Sequence, residues 1–335
     1  MENKKYSTKA IVEASLTSVI ISIIMILTGY LPMVSFIGTL ILPIPVAVLC
    51  IRYNIKITIT AIVLSIILTS MVFNPLRAIY AAIPCIIIGI ALGYCVKYNK
   101  KSSITLLFLA IACSISNILT IVFSLSFIAK VNFIDFISKN IELMKQSVKV
   151  SVDQAKVIYL QNGITPEQLK LISKNYEIIN KMDVAVFLAI IPTGIFIFSL
   201  ISAYLNYIVA RAVLNKLNYK MEKVLPFSKF CVSNIVGAVL IGLVCIGIIL
   251  ASKKITGGYF IQNSSEILVQ YVFIINGLAA STYFLRVKKK LSKPIALLIL
   301  GLIMISPLRS IYFSIGLMEM AFDFRKLDPY RIRRK

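Results

Sequence analysis

The chain has 335 residues, 59% of them hydrophobic and 15% charged, with a mean hydropathy of +0.91 and a net charge of +23. Soluble domains run at about 45–50% apolar and lack repeated charge-free runs of about 20 residues, so one water-excluded core is excluded and lipid is the expected solvent. The chain has no His. That removes the commonest general base, the Ser-His and Cys-His dyads and the usual zinc, copper and haem ligands, so no metal, no cofactor and no enzymatic activity are expected.

The hydropathy pattern predicts an all-α polytopic transmembrane bundle of about 8–10 membrane segments. The first helix runs over 10–30. The second spans 36–50 and contains Pro43 and Pro45. The third covers 57–73 and ends at Asn74-Pro75, because the residue before a proline disfavours the helical region. The fourth is 76–96 and the fifth 104–129.

A polar insert, 130–183, separates these N-terminal membrane helices (1–129) from a C-terminal set (184–324). Ile137, Ile141, Met144, Val148, Val152, Ala155 and Tyr159 recur at helical spacing. Asn162-Gly163 breaks the pattern, and Thr165-Pro166-Glu167-Gln168 reads as a capping box opening a second helix. The insert is therefore predicted to be an extracytoplasmic helical hairpin.

Further spans are predicted at 184–210, 230–251 and 267–285. The apolar run 294–322 reads as two short helices broken at Ser306-Pro307, because Pro75-Leu76-Arg77-Ala78-Ile79-Tyr80 recurs as Pro307-Leu308-Arg309-Ser310-Ile311-Tyr312. A basic tail, 325–335, closes the chain. With the N-terminus inside, 24 of the 36 basic residues fall in inner segments, and eight of the 12 outer ones lie in the long insert. Positive-inside bias thus places both termini in the cytoplasm of a cytoplasmic membrane. The same bias accounts for the net charge without nucleic acid, for which no reading domain is present.

The six cysteines lie mostly in apolar runs without CxxC spacing and read as packing residues. Ala10, Ala14, Ser18 and Ser22 repeat every four residues and form a small-residue ridge on one face of the first helix, suited to close helix approach. Gly89 and Gly93 form a second such ridge. Ionisable residues at membrane depth are candidates for function: Glu13, Arg77, Arg309, Glu319 and Asp323. Glu13 is placed to snorkel, and Glu319 and Asp323 lie within reach of Arg325 and Lys326. Arg77 and Arg309 each follow a helix-opening Pro, where Arg and a helix N-terminus together suit an anion. Headgroup anchoring beside Tyr80 and Tyr312 is the simpler alternative.

The small-residue first helix, Leu42-Pro43-Ile44-Pro45 with Arg52, the Pro-Leu-Arg break and Phe322-Asp323-Phe324-Arg325-Lys326-Leu327 resemble the YybS family of uncharacterised bacterial membrane proteins. That family is loosely similar to the substrate-binding (S) components of energy-coupling-factor transporters, which dock through a small-residue ridge on their first helix. The resemblance implies a transporter-like or solute-binding membrane component. Its partners would be the lipid bilayer, a small-molecule solute and a separate membrane subunit with ATPases. A non-transporting scaffold is the alternative. The resemblance implies no catalytic or ligand residue.

Overall fold

A computed structural model describes residues 8–161, 184–224, 226–255 and 257–327. Among these residues the regular elements are all helical: α1 (Thr8–Tyr30), α2 (Pro32–Ile41), α3 (Pro43–Arg52), α4 (Ile55–Ser70), α5 (Pro75–Lys97), α6 (Ser102–Phe123), α7 (Phe133–Gln161), α8 (Val184–Lys216), α9 (Asn234–Ser252), α10 (Gly258–Tyr283), α11 (Lys293–Ile305) and α12 (Ser310–Phe322). Seven segments are long and apolar enough to cross a membrane, with α2 and α3 acting as one (Ser35–Arg52), and an eighth is added if α11 and α12 are counted together. α4, with 16 residues, is shorter. The all-helical membrane class expected from hydropathy is what the fold shows.

The boundaries follow local chemistry. Asn54 Oδ1 accepts the Ile57 N–H (3.2 Å) and Asn74 Oδ1 accepts the Leu76 N–H (2.9 Å), capping α4 and α5. α6 and α10 end in π-helical turns, Ser124–Ala129 and Phe284–Lys288. Several termini then close on a left-handed residue, Asn99, Lys130, Asn218, Lys254 and Lys290 among them. Asn tolerates that region. Lys does not, at roughly 1–2 kcal/mol. Lys254→Gly is therefore expected to raise the unfolding free energy by about 1 kcal/mol in detergent, measured by thermal or denaturant unfolding.

The chain divides into two compact units. Unit 1 comprises residues 1–137 and 194–224, and unit 2 comprises 138–193 and 225–335. The division does not follow chain order, because it falls within α7, between Ile137 and Ser138, and within α8, between Thr193 and Gly194. α7 confirms the first arm of the insert as a helix, with Ile137 and Ile141 of the predicted stripe buried. The second arm, 162–183, lies outside the described residues.

In unit 1, α1 packs on α4, and α3 packs on α5. Ala10, Ala14, Ser18 and Ser22 are all buried, and Ser22 Oγ donates to Ser65 O of α4 at 3.3 Å. Ala14 packs with Leu49 and Ala61. The predicted ridge is thus taken up by helix packing within the unit. Gly89 and Gly93 are used likewise: a Cβ on Gly89 would come within 2.7 Å of Val46 Cβ, and one on Gly93 within 2.6 Å of Cys50 Cβ. Cys50, Cys85, Cys95 and Cys113 are buried and unbridged, as packing residues should be, whereas Cys245 is exposed.

In unit 2, α9 and α10 form a tight antiparallel hairpin, in which Gly247 lies against the backbone of Gln262 and Gly258 against that of Ala251. α10 and α12 run parallel. Glu266 and Gln270 share a groove with Ser310 and Phe313, while further along Asn276 Nδ2 donates to Gly316 O (2.9 Å). The chain between them must return, and α11 does this. α11 and α12 are bent by 111° about the turn Pro307–Arg309, and Tyr312 Oη donates to Leu300 O at 2.9 Å. Residues 293–322 thus form two short helices, broken where the Pro-Leu-Arg echo places the break. The echo extends to its cap: Ser306 Oγ accepts the Leu308 N–H (3.2 Å) as Asn74 accepts that of Leu76.

Candidate functional site

α10 begins at Gly258, nine residues before the predicted start at 267. Gly257 (φ 85°) makes the left-handed turn that precedes it. The polar run Gln262-Asn263-Ser264-Ser265-Glu266 reads as a loop in isolation, but Ser264 is tied to another helix inside unit 2. Ser264 Oγ donates to Ala189 O (2.9 Å), and Ser264 O accepts from Thr193 Oγ1 (3.1 Å). Ser265 Oγ bonds back to Gln262 O (2.9 Å). With those bonds made elsewhere in the fold, the helix forms despite its polarity.

This shift moves Glu266 from a presumed loop to about 12 Å along a membrane helix, at about 1.5 Å per residue. Gln262, Glu266 and Gln270 lie four residues apart and so share one face. Gln262 Nε2 donates to Glu266 Oε1 at 2.9 Å. Glu266 and Gln270 line an open groove of about 320 Å³, together with Val244 of α9, Val269 of α10, and Ser310 and Phe313 of α12. The lining is mostly apolar with a few polar groups, as small-molecule sites are. Sequence inspection misses Glu266 because a loop assignment removes it from the membrane. The four-residue spacing of Gln262, Glu266 and Gln270 is the signal that finds it.

Further along α10 and α12 the unit closes. Gly277 and Gly316 cross so tightly that a Cβ on Gly277 would overlap the Tyr312 carbonyl and one on Gly316 the Phe273 carbonyl. Beyond the crossing lies a buried polar cluster. Arg325 Nε donates to Glu319 Oε1 at 2.7 Å, Nη1 to Ser228 O at 2.9 Å and Nη2 to Asn276 Oδ1 at 3.3 Å. Asn276 Oδ1 also accepts the Val232 N–H (3.2 Å). Asp323, left-handed at φ 46°, turns the chain after α12 and brings Arg325 back to Glu319, while its own Oδ1 accepts the Leu327 N–H (2.8 Å). Arg325, not a residue of the helices, thus fills the inside of the bundle.

Glu13 pairs with Arg52 at 3.1 Å, and Arg52 Nε donates to Tyr219 Oη at 2.9 Å, tying α1, α3 and the segment after α8 together. Arg77 and Arg309 are exposed, at the openings of α5 and α12, and belong to different units. Tyr80 is exposed, but Tyr312 is buried at 1%, so headgroup anchoring does not extend to it. Among the described residues, no group of three or more His, Cys, Asp or Glu is placed to hold a metal.

A family model for predicted membrane proteins, DUF2232, matches residues 19–320. The chain belongs to that family. It is similar to the uncharacterized protein YybS of Bacillus subtilis (strain 168), with 24% identity over 95% of this chain and 98% of the relative. Family membership therefore agrees with the multi-pass membrane architecture and carries the YybS resemblance across nearly the full length. No solved structure matches the chain, so likeness to energy-coupling-factor S components is not shown. The ridge that would carry such docking, Ala10, Ala14, Ser18 and Ser22, is buried inside unit 1.

Proposed function

We propose that this protein is a transporter-like, solute-binding component of the cytoplasmic membrane, and that its solute occupies the groove of unit 2. The observation that carries this is Glu266, an ionisable side chain about 12 Å along a spanning helix, facing a groove of about 320 Å³. Carboxylates at membrane depth are costly and mark solute or ion paths. α12, the second helix of the pair broken at Pro307, lines the same groove through Ser310 and Phe313, and broken helices are a common feature of transporter sites.

Positive-inside bias orients the groove. The loop 286–293 and the tail from Arg325 lie on the inner side, so the α10–α12 opening near Glu266 and Ser310 faces outward, and the Gly277/Gly316 crossing with the Glu319–Arg325 pair closes the inner side. Glu266 supplies the charge that selects a cationic or amine-bearing group, Gln270 and Ser310 supply hydrogen bonds, and Val244, Val269 and Phe313 supply the apolar wall.

The test is mass spectrometry of small molecules that co-purify with the protein from native membranes in mild detergent. The wild-type protein is expected to carry a solute that Glu266→Gln loses, with the unfolding midpoint unchanged because Glu266 is exposed. A wild-type protein free of solute, or a solute retained by Glu266→Gln, would remove the groove as its site.

A further inference from the structure

Unit 1 holds a second concavity, independent of the groove. It is about 210 Å³ in volume and sits where α5 ends, α6 begins and the chain leaves α8. Its lining includes Asn99, Lys100, Thr105, Tyr207, Lys220 and Glu222. The segment that forms one wall is pinned to α8: Tyr207 Oη donates to Glu222 O (2.9 Å), Arg211 Nε to Met221 O (3.2 Å), and the Met221 N–H to Asn215 Oδ1 (2.9 Å). The cavity is therefore a built feature with fixed walls.

The charges around it are unevenly used. Glu222 Oε2 accepts the Ser102 N–H at 3.0 Å, so its carboxylate is engaged in capping α6. Lys97 Nζ is spent on the carbonyls of Tyr53 (2.6 Å) and Cys50 (3.2 Å), and Arg52 on Glu13 and Tyr219. Among the described residues, no ion pair or hydrogen bond engages the side chains of Lys100 and Lys220, which come from separate segments and line the same cavity. Thr105 and Tyr207 are buried with their hydroxyls bonded to backbone oxygens. What remains on offer is a pair of cations beside the Asn99 amide, at the ends of two membrane-spanning helices. Basic pockets between spanning helices at the membrane boundary suit phosphate headgroups.

We infer that this cavity binds a phosphate group, borne by an anionic lipid or by a small phosphorylated solute, with Lys100 and Lys220 as its charged ligands. The test uses the purified full chain in neutral maltoside micelles, titrated with short-chain phosphatidylglycerol and, as a control for the acyl chains, short-chain phosphatidylcholine. Wild-type protein is expected to prefer phosphatidylglycerol. The Lys100→Gln/Lys220→Gln variant is expected to lose at least tenfold in affinity, the Lys100→Arg/Lys220→Arg variant to retain most of it, and Lys253→Gln/Lys254→Gln to match wild type. Inorganic phosphate that displaces the lipid identifies a soluble phosphate ligand, and failure to displace it identifies the headgroup itself. Equal affinity for the two lipids, or equal loss in the two Gln variants, would overturn the proposal.

Discussion

Truncating either member of the Glu319–Arg325 pair is expected to cost roughly 3–5 kcal/mol. Both side chains are almost fully buried, at 2% and 0% exposure. Glu319→Ala leaves a guanidinium in the bundle with only Ser228 O and Asn276 Oδ1 to face. Arg325→Ala leaves a carboxylate with no compensating charge, takes the donor from Ser228 O and leaves Asn276 Oδ1 with the Val232 N–H alone. Because Glu319 Oε2 has no hydrogen-bond partner among the described residues, the pair is imperfectly satisfied. The double variant Glu319→Leu/Arg325→Met should therefore be more stable than either single truncation. Denaturant unfolding of the three variants in mixed micelles gives the comparison. A double variant no better than the worse single one would show that Arg325 acts through its contacts to Ser228 and Asn276, not through its charge.

The second large effect is expected at the α10–α12 crossing. Adding one methyl at Gly277 or Gly316 places it on a backbone carbonyl, and backbone cannot yield as the end of a side chain can. Gly277→Ala and Gly316→Ala should each lose about 1–3 kcal/mol or more by forcing the helices apart. Gly242 in α9 and Gly301 in α11 are the controls, because a Cβ at either meets nothing within 4 Å. There the same change should be neutral or stabilising by up to about 1 kcal/mol, since Ala is the better helix former. Unfolding midpoints of the four variants separate the two outcomes. If all four behave alike, the close crossing is not what holds the two helices together.

Much of this architecture was legible because it is written in local chemistry. Asn74-Pro75 and Ser306-Pro307 each carry a side-chain cap and a proline, and the chain turns at both. The four-residue spacing of Ala10, Ala14, Ser18 and Ser22 identified a face that packs closely, though not what packs there; α4 is 43 residues away at the Ser22–Ser65 contact. The start of α10 was hidden because the bonds that permit it are tertiary, Ser264 meeting Ala189 across 75 residues. Glu266 went unseen for the same reason. The pairing of Glu319 with Arg325 could be foreseen from their proximity in the chain. Its burial could not, because Asn276 and Ser228 lie 49 and 97 residues away. Arg77 and Arg309 stood out by motif, yet they sit exposed at two helix openings, while the groove is built from α9, α10 and α12.

The most direct test is thiol accessibility in intact cells, using a background with the six native cysteines replaced. Ser310→Cys, on the wall of the groove, should react with a membrane-impermeant maleimide added from outside. Leu327→Cys, beyond the buried Arg325, should react only after the membrane is opened. Labelling of Ser310→Cys only in opened membranes would contradict an outward-facing groove, and with it the proposed solute path.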